Sequence, residues 1–232
     1  MGEPIDLSEL ATAIGLGAHE LVTIVGGGGK TTTLFSVGAQ LSGTRVLTTT
    51  TKMGRERTDG FPVLFAPSDD DVRRSLGADG AVIAWKADGG HKAIGVDPEQ
   101  CDAWFDVADH VIVEADGAAR RPFKAPRPFE PVVPSRTTTL VACIGASALG
   151  RVIADQCHRP LRVAAVAGCS PYDRLTPERA ARVLLDERGS RKDCPPSARF
   201  VVTIHKVGDE AAPLAAELEE RVGAATPVVS VA

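Results

Sequence analysis

The sequence has few aromatic residues and no long apolar run. Phe, Trp and Tyr make up 4% of the 232 residues, so the core has to be built largely from Ala, Val, Leu and Ile. No apolar run approaches the ~18 residues of a membrane-spanning helix. The segment MGEPIDLSEL shows neither the basic nor the apolar region of a secretory signal peptide. We therefore expect a cytoplasmic protein without a membrane partner.

Cysteine and net positive charge are also scarce. The five cysteines are odd in number, widely spaced and free of any CxxC pair, which is typical of a reduced protein rather than a disulfide framework. The net charge of -4 disfavours a basic nucleic-acid-binding domain, so we expect no nucleic-acid partner. Hydrophobic residues at 44% and charged residues at 24% are ordinary values for a globular protein.

What the sequence does contain is a regular alternation of short apolar runs with amphipathic segments. This alternation predicts an α/β fold with a mostly parallel sheet that helices cover on both faces. The expected strands are 21–25, 45–49, 62–67, 110–115, 139–144, 162–168, 200–204 and 227–232. The expected helices are 6–16, 31–41, 68–76, 176–186, one opened by Asp97 and Pro98, and one capped by Asp209.

The whole chain, 1–232, is expected to form one domain. A hairpin and a helix are expected as an insertion around 62–108. The hairpin would pair AVIAWK at 81–86 with HKAIGV at 91–96 across the turn ADGG.

A glycine-rich loop follows the first expected strand and precedes a helix. It matches GGxGKTT, a variant of the phosphate-loop pattern GxxxxGK[ST]; in the strict pattern Ile24 stands where the first glycine belongs. Glycines let backbone N–H groups converge on phosphate oxygens, and the following helix adds its positive N-terminus. We expect an exposed Lys30 that binds the β- and γ-phosphates, and a Thr31 that binds Mg²⁺. The expected nucleotide-binding residues are Gly26, Gly27, Gly28, Gly29, Lys30, Thr31 and Thr32.

A second motif, HVIVEADGA at 110–118, places two acids at the end of an expected buried strand. Strand alternation puts Glu114 and Asp116 on one side, and open α/β sheets bind ligands at the carboxyl ends of their strands. Both acids can hold Mg²⁺ and polarise an attacking group, with Asp116 expected to position it. The N–H of Gly117 can contact a γ-phosphate. Lys30, Glu114 and Asp116 are therefore the candidate catalytic residues.

Two further segments carry residues suited to a substrate or a switch. LTTTTKMG at 47–54 closes the second expected strand with hydroxyls, one of which can meet Mg²⁺ or a γ-phosphate. GAARRPFKAPRPFEPVVPSR at 117–136 is a basic loop stiffened by five prolines, suited to an anionic substrate or an acidic partner. The candidates are Thr50, Thr51, Lys52, Arg120, Arg121 and Lys124.

The segment VVTIHKVGDE at 201–210 partly matches a base-reading loop. In an NKxD loop the Asp accepts hydrogen bonds from guanine; here His205 replaces the Asn, Lys206 fits, and Asp209 comes one residue late. His205 and Lys206 are candidate nucleotide-binding residues. Because Asp209 is also the expected N-cap of the last helix, we predict weak base selectivity, with ATP and GTP both open.

These motifs occur in one order across nearly the whole chain. GGGGKTTT, TTTTK, VIVEADGA, KAPRPFEPVVP, CHRP, LTPERAARVLL and IHKVGD together resemble the YqeC family, accessory proteins associated with selenium-dependent molybdenum hydroxylases. The resemblance implies a role in selenium or molybdenum cofactor maturation, with a molybdenum hydroxylase or a maturation protein as partner. VIVEADG is also similar to the metal-insertion GTPases of urease, hydrogenase and cobalamin enzymes. That likeness implies that Glu114 lies by Mg²⁺ and Gly117 senses the γ-phosphate, while Asp116 departs from their pattern.

The residues together favour a three-layer P-loop NTPase-like fold and a Mg²⁺-dependent nucleoside triphosphatase that uses ATP or GTP in cofactor maturation. Phosphoryl transfer needs positioning and charge neutralisation more than covalent chemistry, which suits this set of side chains. Two alternatives stay open. One is a small-molecule kinase or phosphate-activating ligase; the other is a nucleotide-gated chaperone with little hydrolysis.

Overall fold

The computed structural model describes residues 3–232, and no helix in this range is both long enough and apolar enough to span a membrane. Two short 3-10 helices span Leu7–Glu9 and Ala146–Ala148. The α-helices are α1 (Leu10–Ile14), α2 (Lys30–Gln40), α3 (Asp69–Asp79), α4 (Pro98–Trp104), α5 (Ile153–Gln156), α6 (Pro160–Ala167), α7 (Pro177–Leu185) and α8 (Ala212–Gly223). The strands are β1 (Glu20–Gly26), β2 (Arg45–Thr49), β3 (Lys52–Gly54), β4 (Val63–Phe65), β5 (Ala81–Trp85), β6 (Ala87–Asp88), β7 (Lys92–Ile94), β8 (His110–Glu114), β9 (Phe123–Lys124), β10 (Thr139–Gly145), β11 (Cys157–His158), β12 (Arg199–His205) and β13 (Val228–Ser230).

The central sheet contains eight strands, and every neighbouring pair in it is parallel. Their order is β13-β12-β10-β1-β8-β2-β5-β4. The strand that leads into the glycine loop, β1, lies between β10 and β8. Its register with β8 places Ile24 opposite Glu114, so the loop and the acidic motif leave the sheet side by side at the carboxyl ends of their strands.

Helices cover both faces of this sheet. One layer contains α1 and α2; the opposite layer contains α3 and α4 over one half and α5–α8 over the other. Because successive strand residues point to opposite faces, Ile24 of β1 packs in the first layer and Val25 in the second. The core is mostly aliphatic, as the composition predicts. The fold is therefore a three-layer α/β fold of the P-loop NTPase type.

Two small sheets complete the fold. The antiparallel sheet β3-β7-β6 pairs Met53 with Ala93, and both side chains are buried in the same layer as α2. The parallel pair β9 and β11 joins the proline-rich segment to the residues before α6. Within 62–108, where an insertion is expected, β5 and β4 form one edge of the central sheet.

Three details differ from the expected elements. Residues 162–168 lie mainly in α6, because a short apolar run suits a buried helix as well as a strand, and Pro160 begins the helix. The strand at 81–85 joins the central sheet, so the hairpin consists only of β6 and β7. Asp209 does not cap α8, which begins at Ala212 with Ala211 as its N-cap.

Candidate functional site

The phosphate loop, residues 26–29, connects β1 to α2. Gly29 has a φ of 106°, and a Cβ atom there would lie 2.4 Å from the ring of His205. Gly26 has a φ of 98°, and a Cβ would lie 2.4 Å from the carbonyl oxygen of Cys143. No side chain in the described range caps the N-terminus of α2. The first N–H groups of this helix therefore have no side-chain acceptor, as an anion-binding helix start requires.

Lys30 is buried, not exposed as expected. Only 6% of it is accessible, and its Nζ donates a hydrogen bond to the carbonyl oxygen of Gly26 at 2.7 Å. Nζ also lies 3.4 Å from Asp116 Oδ1 and 3.8 Å from Glu114 Oε1. Burial lowers the pKa of an amine, but the two carboxylates outweigh it and raise the pKa of Lys30 above its ordinary value. Lys30 is therefore charged and bound to its own loop.

Thr31 and Glu114 form the centre of a candidate Mg²⁺ site. Thr31 Oγ1 donates a hydrogen bond to Glu114 Oε2 at 2.9 Å. Burial raises the pKa of the Glu114 carboxyl, against the opposing effects of Lys30 and Thr31. Within residues 3–232, no group of three or more His, Cys, Asp or Glu side chains could hold a metal ion. Mg²⁺ bound with a nucleotide needs only one or two carboxylates because phosphates and waters complete its shell, so Thr31 and Glu114 fit that ion.

Asp116 lies behind Lys30 and anchors the phosphate loop. Its Oδ2 accepts a hydrogen bond from the N–H of Gly26 at 3.1 Å and lies 2.9 Å from Lys124 Nζ. Its Oδ1 is buried and accepts no hydrogen bond within the described chain, although Lys30 Nζ is 3.4 Å away. Asp116 does not line the large cavity described below, whereas Glu114 does. Its contacts are those of a residue that positions Lys30 and the loop.

Lys124 continues this line of charges away from the loop. It belongs to the basic segment expected to bind an anionic substrate or an acidic partner, but only 1% of it is accessible. Its Nζ donates hydrogen bonds to the carbonyl oxygen of Gly117 at 2.7 Å and to Glu130 Oε2 at 3.1 Å. Glu130 accepts two further hydrogen bonds from Arg159, at 2.6 and 2.8 Å. Burial opposes ionisation of Glu130, but Arg159 and Lys124 together lower its pKa.

Six side chains of alternating sign therefore run from the phosphate loop into the protein. We call them the charge chain, and its members are Glu114, Lys30, Asp116, Lys124, Glu130 and Arg159. Sequence reasoning missed Glu130 and Arg159 as site-supporting residues, because 29 positions separate them and neither belongs to a spaced motif. Their one signal is their place in KAPRPFEP and CHRP, two of the segments that carry the family resemblance.

The threonines at the end of β2 are engaged in structural hydrogen bonds. Thr50 Oγ1 donates to the carbonyl oxygen of Val132 at 2.7 Å, and Thr49 Oγ1 donates to that of Glu114 at 2.7 Å. The Thr51 hydroxyl lies 3.4 Å from Thr49 Oγ1 and donates to it, because Thr49 gives its own hydrogen to Glu114. Of the three candidate switch residues in this segment, Lys52 alone lines the cavity beside the phosphate loop.

The large cavity has a volume of about 1110 Å³ and opens at the phosphate loop. Gly28 to Thr32 form its floor on one side, together with Glu114 and Gly117. Arg120 and Arg121 line it as expected from the basic loop, but the backbone of that segment also packs against the phosphate loop. A Cβ atom on Gly27 would lie 2.8 Å from the carbonyl oxygen of Arg121. The proline-rich segment is therefore a wall of the site.

The side chain of His205 does not line the large cavity. It is 3% exposed, and its Nε2 lies 3.0 Å from Thr33 Oγ1 and 3.1 Å from Thr203 Oγ1. Burial, with a contribution from Lys206, lowers the pKa of His205 to about 4, so the ring is neutral at pH 7. The expected base-reading candidate is thus found beneath Gly29, where it supports the phosphate loop.

A second cavity, of about 510 Å³, adjoins the first through Lys206, which lines both. The residues after β10 and β12 form it, among them Ser147, Asp209 and Leu214. Of the expected base-reading segment, Lys206 and Asp209 therefore do face a cavity. Because Asp209 does not cap α8, its carboxylate accepts no hydrogen bond from the N–H groups at the start of that helix.

Comparisons with known proteins agree with the sequence motifs. A family model described as YqeC protein matches residues 22–161, which is more than half of the chain and includes the whole charge chain. The uncharacterized protein YqeC of Escherichia coli (strain K12) is 32% identical over 207 residues, covering 84% of this chain and 80% of that protein. No solved structure matches the chain. The chain belongs to the YqeC family.

Proposed function

We propose that this protein binds a nucleoside triphosphate with Mg²⁺ at the phosphate loop and hydrolyses it in the maturation of a selenium or molybdenum cofactor. The observation that carries the proposal is the 2.9 Å hydrogen bond between Thr31 and Glu114, beside a buried Lys30 at an uncapped helix start. A hydroxyl and a carboxylate in contact are two oxygen donors already assembled for one ion. Family membership, with the association implied by the sequence resemblance, supports the role in cofactor maturation.

The residues of the loop divide the work under this proposal. The N–H groups at the start of α2 bind phosphate oxygens, and Lys30 exchanges the carbonyl of Gly26 for the β- and γ-phosphates. Thr31 and Glu114 would hold Mg²⁺, which neutralises charge on the phosphate oxygens. Gly117 lines the same cavity, and its N–H is a candidate contact for a γ-phosphate.

Asp116 takes a different role from the one expected of it. It does not line the cavity, so it is placed to hold Lys30 and the N–H of Gly26 and not the attacking water. Glu114 is the carboxylate that faces the cavity. The smaller cavity at Lys206 and Asp209 is the candidate place for the base, since it joins the phosphate-loop cavity through a shared side chain.

Nucleotide binding and turnover test the proposal directly. Calorimetric titration of ATP and GTP with Mg²⁺, and again with a chelator, is expected to show Mg²⁺-dependent binding, and phosphate release is expected to follow. Glu114→Gln should reduce turnover at least tenfold. The matched control is Glu187→Gln, which makes the same chemical change at an exposed residue outside both cavities.

Each outcome has a clear meaning. A wild-type protein that binds neither nucleotide in the presence of Mg²⁺ would refute the proposal. Equal loss of turnover in both glutamate variants would place the chemistry elsewhere. Tight binding without hydrolysis would instead favour the nucleotide-gated chaperone.

A further inference from the structure

The large cavity is bigger and more basic than a triphosphate requires. Its volume of about 1110 Å³ slightly exceeds that of small-ligand sites, which span roughly 300–1,000 Å³. A nucleotide whose base lies in the smaller cavity leaves most of this space free. Eight of the 21 residues that line it are Lys or Arg and two are Glu, in a chain of net charge -4. The positive charge is therefore concentrated here.

Four of these cations come from the three-stranded sheet, opposite the phosphate loop. We call them the basic rim, and they are Lys52 of β3, Arg55 and Arg57 just after β3, and Lys92 of β7. Antiparallel pairing of β3 with β7 aligns Gly54 with Lys92, which holds both segments in one register. Two of the four rim residues, Lys52 and Lys92, therefore stand on paired strands.

The two arginines of the rim are braced by aromatic rings. The Arg55 guanidinium lies 5.6 Å from the centre of the Phe65 ring, and that of Arg57 lies 5.0 Å from the Phe35 ring. Stacking of this kind fixes each guanidinium plane. Both guanidinium groups already bind a carboxylate, Asp88 for Arg55 and Asp59 for Arg57. The N–H groups that these carboxylates leave open, together with the ammonium groups of Lys52 and Lys92, are suited to a phosphate group.

Arg57 also connects the rim to the phosphate loop. Its Nη1 atom lies 3.5 Å from Thr32 Oγ1, in the first turn of α2. Asp59 holds the other side of the guanidinium with two hydrogen bonds of 2.7 Å and raises the pKa of Arg57. Arg57 is thus held beside the first turn of α2, and Asp59 balances its charge.

We propose that the basic rim binds a second substrate, a small molecule that carries a phosphate or an equivalent tetrahedral oxyanion, beside the nucleotide. This inference rests on the proposed function, because it assumes that a nucleotide is bound at the phosphate loop. Arg120 on the opposite wall is 94% exposed and lies 3.7 Å from Glu56, a surface pair worth little energy that an oxyanion can displace. The cavity then holds two anionic ligands in contact, as a kinase or phosphate-activating ligase requires.

The test is titration with inorganic pyrophosphate in excess Mg²⁺ while the phosphate loop is saturated with a non-hydrolysable ATP analogue. The variant carries Lys52→Gln and Lys92→Gln, two exposed changes on the rim. Its control carries Lys86→Gln and Lys192→Gln, which alter net charge equally at lysines outside the cavity. We expect the rim variant to lose at least tenfold in pyrophosphate affinity and the control less than twofold, with affinity for the ATP analogue unchanged in both.

Equal losses in the two double variants, or no loss in either, would overturn the proposal. If the ATP analogue does not bind, the proposed function fails. The same titration of Lys30→Met protein without nucleotide then tests the rim independently. Phenyl phosphate as a second probe distinguishes an organic phosphate ester, which would bind with equal or greater affinity, from a free inorganic oxyanion.

Discussion

Replacing Lys30 with Met should cost both nucleotide affinity and stability. The side chain lies between Asp116 and Glu114 at 3.4 and 3.8 Å, and only 6% of it is accessible. Removing one partner of a buried ion pair typically costs about 3–5 kcal/mol, since it leaves an uncompensated charge. Asp116 keeps Lys124 at 2.9 Å, so the stranded charge is that of Glu114. We therefore expect the low end of this range, about 3 kcal/mol at pH 8.

The stability that Lys30→Met loses should become smaller as the pH falls. Burial already raises the pKa of Glu114, and removal of Lys30 raises it further. A group with a raised pKa in the folded state takes up its proton there before the unfolded chain does, so stability rises as the pH falls through that folded-state pKa. A protonated Glu114 needs no counter-charge. The stability difference between wild type and Lys30→Met should therefore be larger at pH 8 than at pH 5.5.

Urea unfolding at both pH values measures this difference, and thermal unfolding at pH 8 should show a midpoint lowered by roughly 6–12 °C. The double variant Lys30→Met with Glu114→Gln removes the stranded charge. It should recover most of the stability and none of the Mg²⁺-nucleotide affinity. If the Lys30→Met variant is as stable as the wild type at pH 8, the burial of Lys30 between the two carboxylates is refuted.

Three further predictions concern the loop and the base. The unfolded His protonates near pH 6.5 and the folded His205 only near pH 4, so the folded state loses about 3 kcal/mol of stability between pH 7 and pH 4. His205→Asn should remove this loss. Urea unfolding at both pH values measures it, and identical pH profiles for the variant and the wild type would contradict it. Gly117→Ala should change the free energy of unfolding by no more than about 1 kcal/mol, because φ there is negative and a Cβ meets no atom within 4 Å. Phosphate release should nevertheless fall at least tenfold, because the methyl group would crowd a γ-phosphate that approaches this N–H. Unchanged turnover would exclude that contact. ATP and GTP should compete within tenfold, or about 1.4 kcal/mol, and a hundredfold guanine preference that Asp209→Asn abolishes would show that this carboxylate does read the base.

The parts of the fold that sequence predicts are those with local signals. The glycine loop, the strand before it and the helix after it share a pattern within a dozen residues, and the structure has them where expected. The run at 162–168 has no such pattern, since a short run of Val and Ala serves a buried helix as well as a strand. At Asp209 a local signal is present, but it predicts the wrong start for the helix. A good capping residue stands before the helix, but Pro213 suits the second helical position, and α8 begins three residues later.

The site was predicted only as far as its motifs reach. Lys30, Thr31 and Glu114 come together as expected because loop and strand are neighbours in the sheet. Burial was not predictable in the same way. Lys30 and Lys124 belong to glycine- and proline-rich segments that are typical of exposed loops. Lys30 is buried because Asp116, 86 positions away, compensates its charge. Lys124 is buried because Asp116 and Glu130, eight and six positions away, compensate its own.

Asp116 contacts two lysines, Lys30 and Lys124, and the second explains how Lys30 can leave. Under the proposed function Lys30 turns from Gly26 and Asp116 toward the phosphates when nucleotide binds. With Lys30 as its single partner, Asp116 would then keep an unpaired buried charge, which is costly. Lys124 at 2.9 Å remains in place, since Glu130 and the carbonyl of Gly117 hold it, and Arg159 in turn balances Glu130. Under the proposed function the charge chain therefore lowers the cost of moving Lys30, and it does so with residues from KAPRPFEP and CHRP, two of the segments that carry the resemblance to the YqeC family.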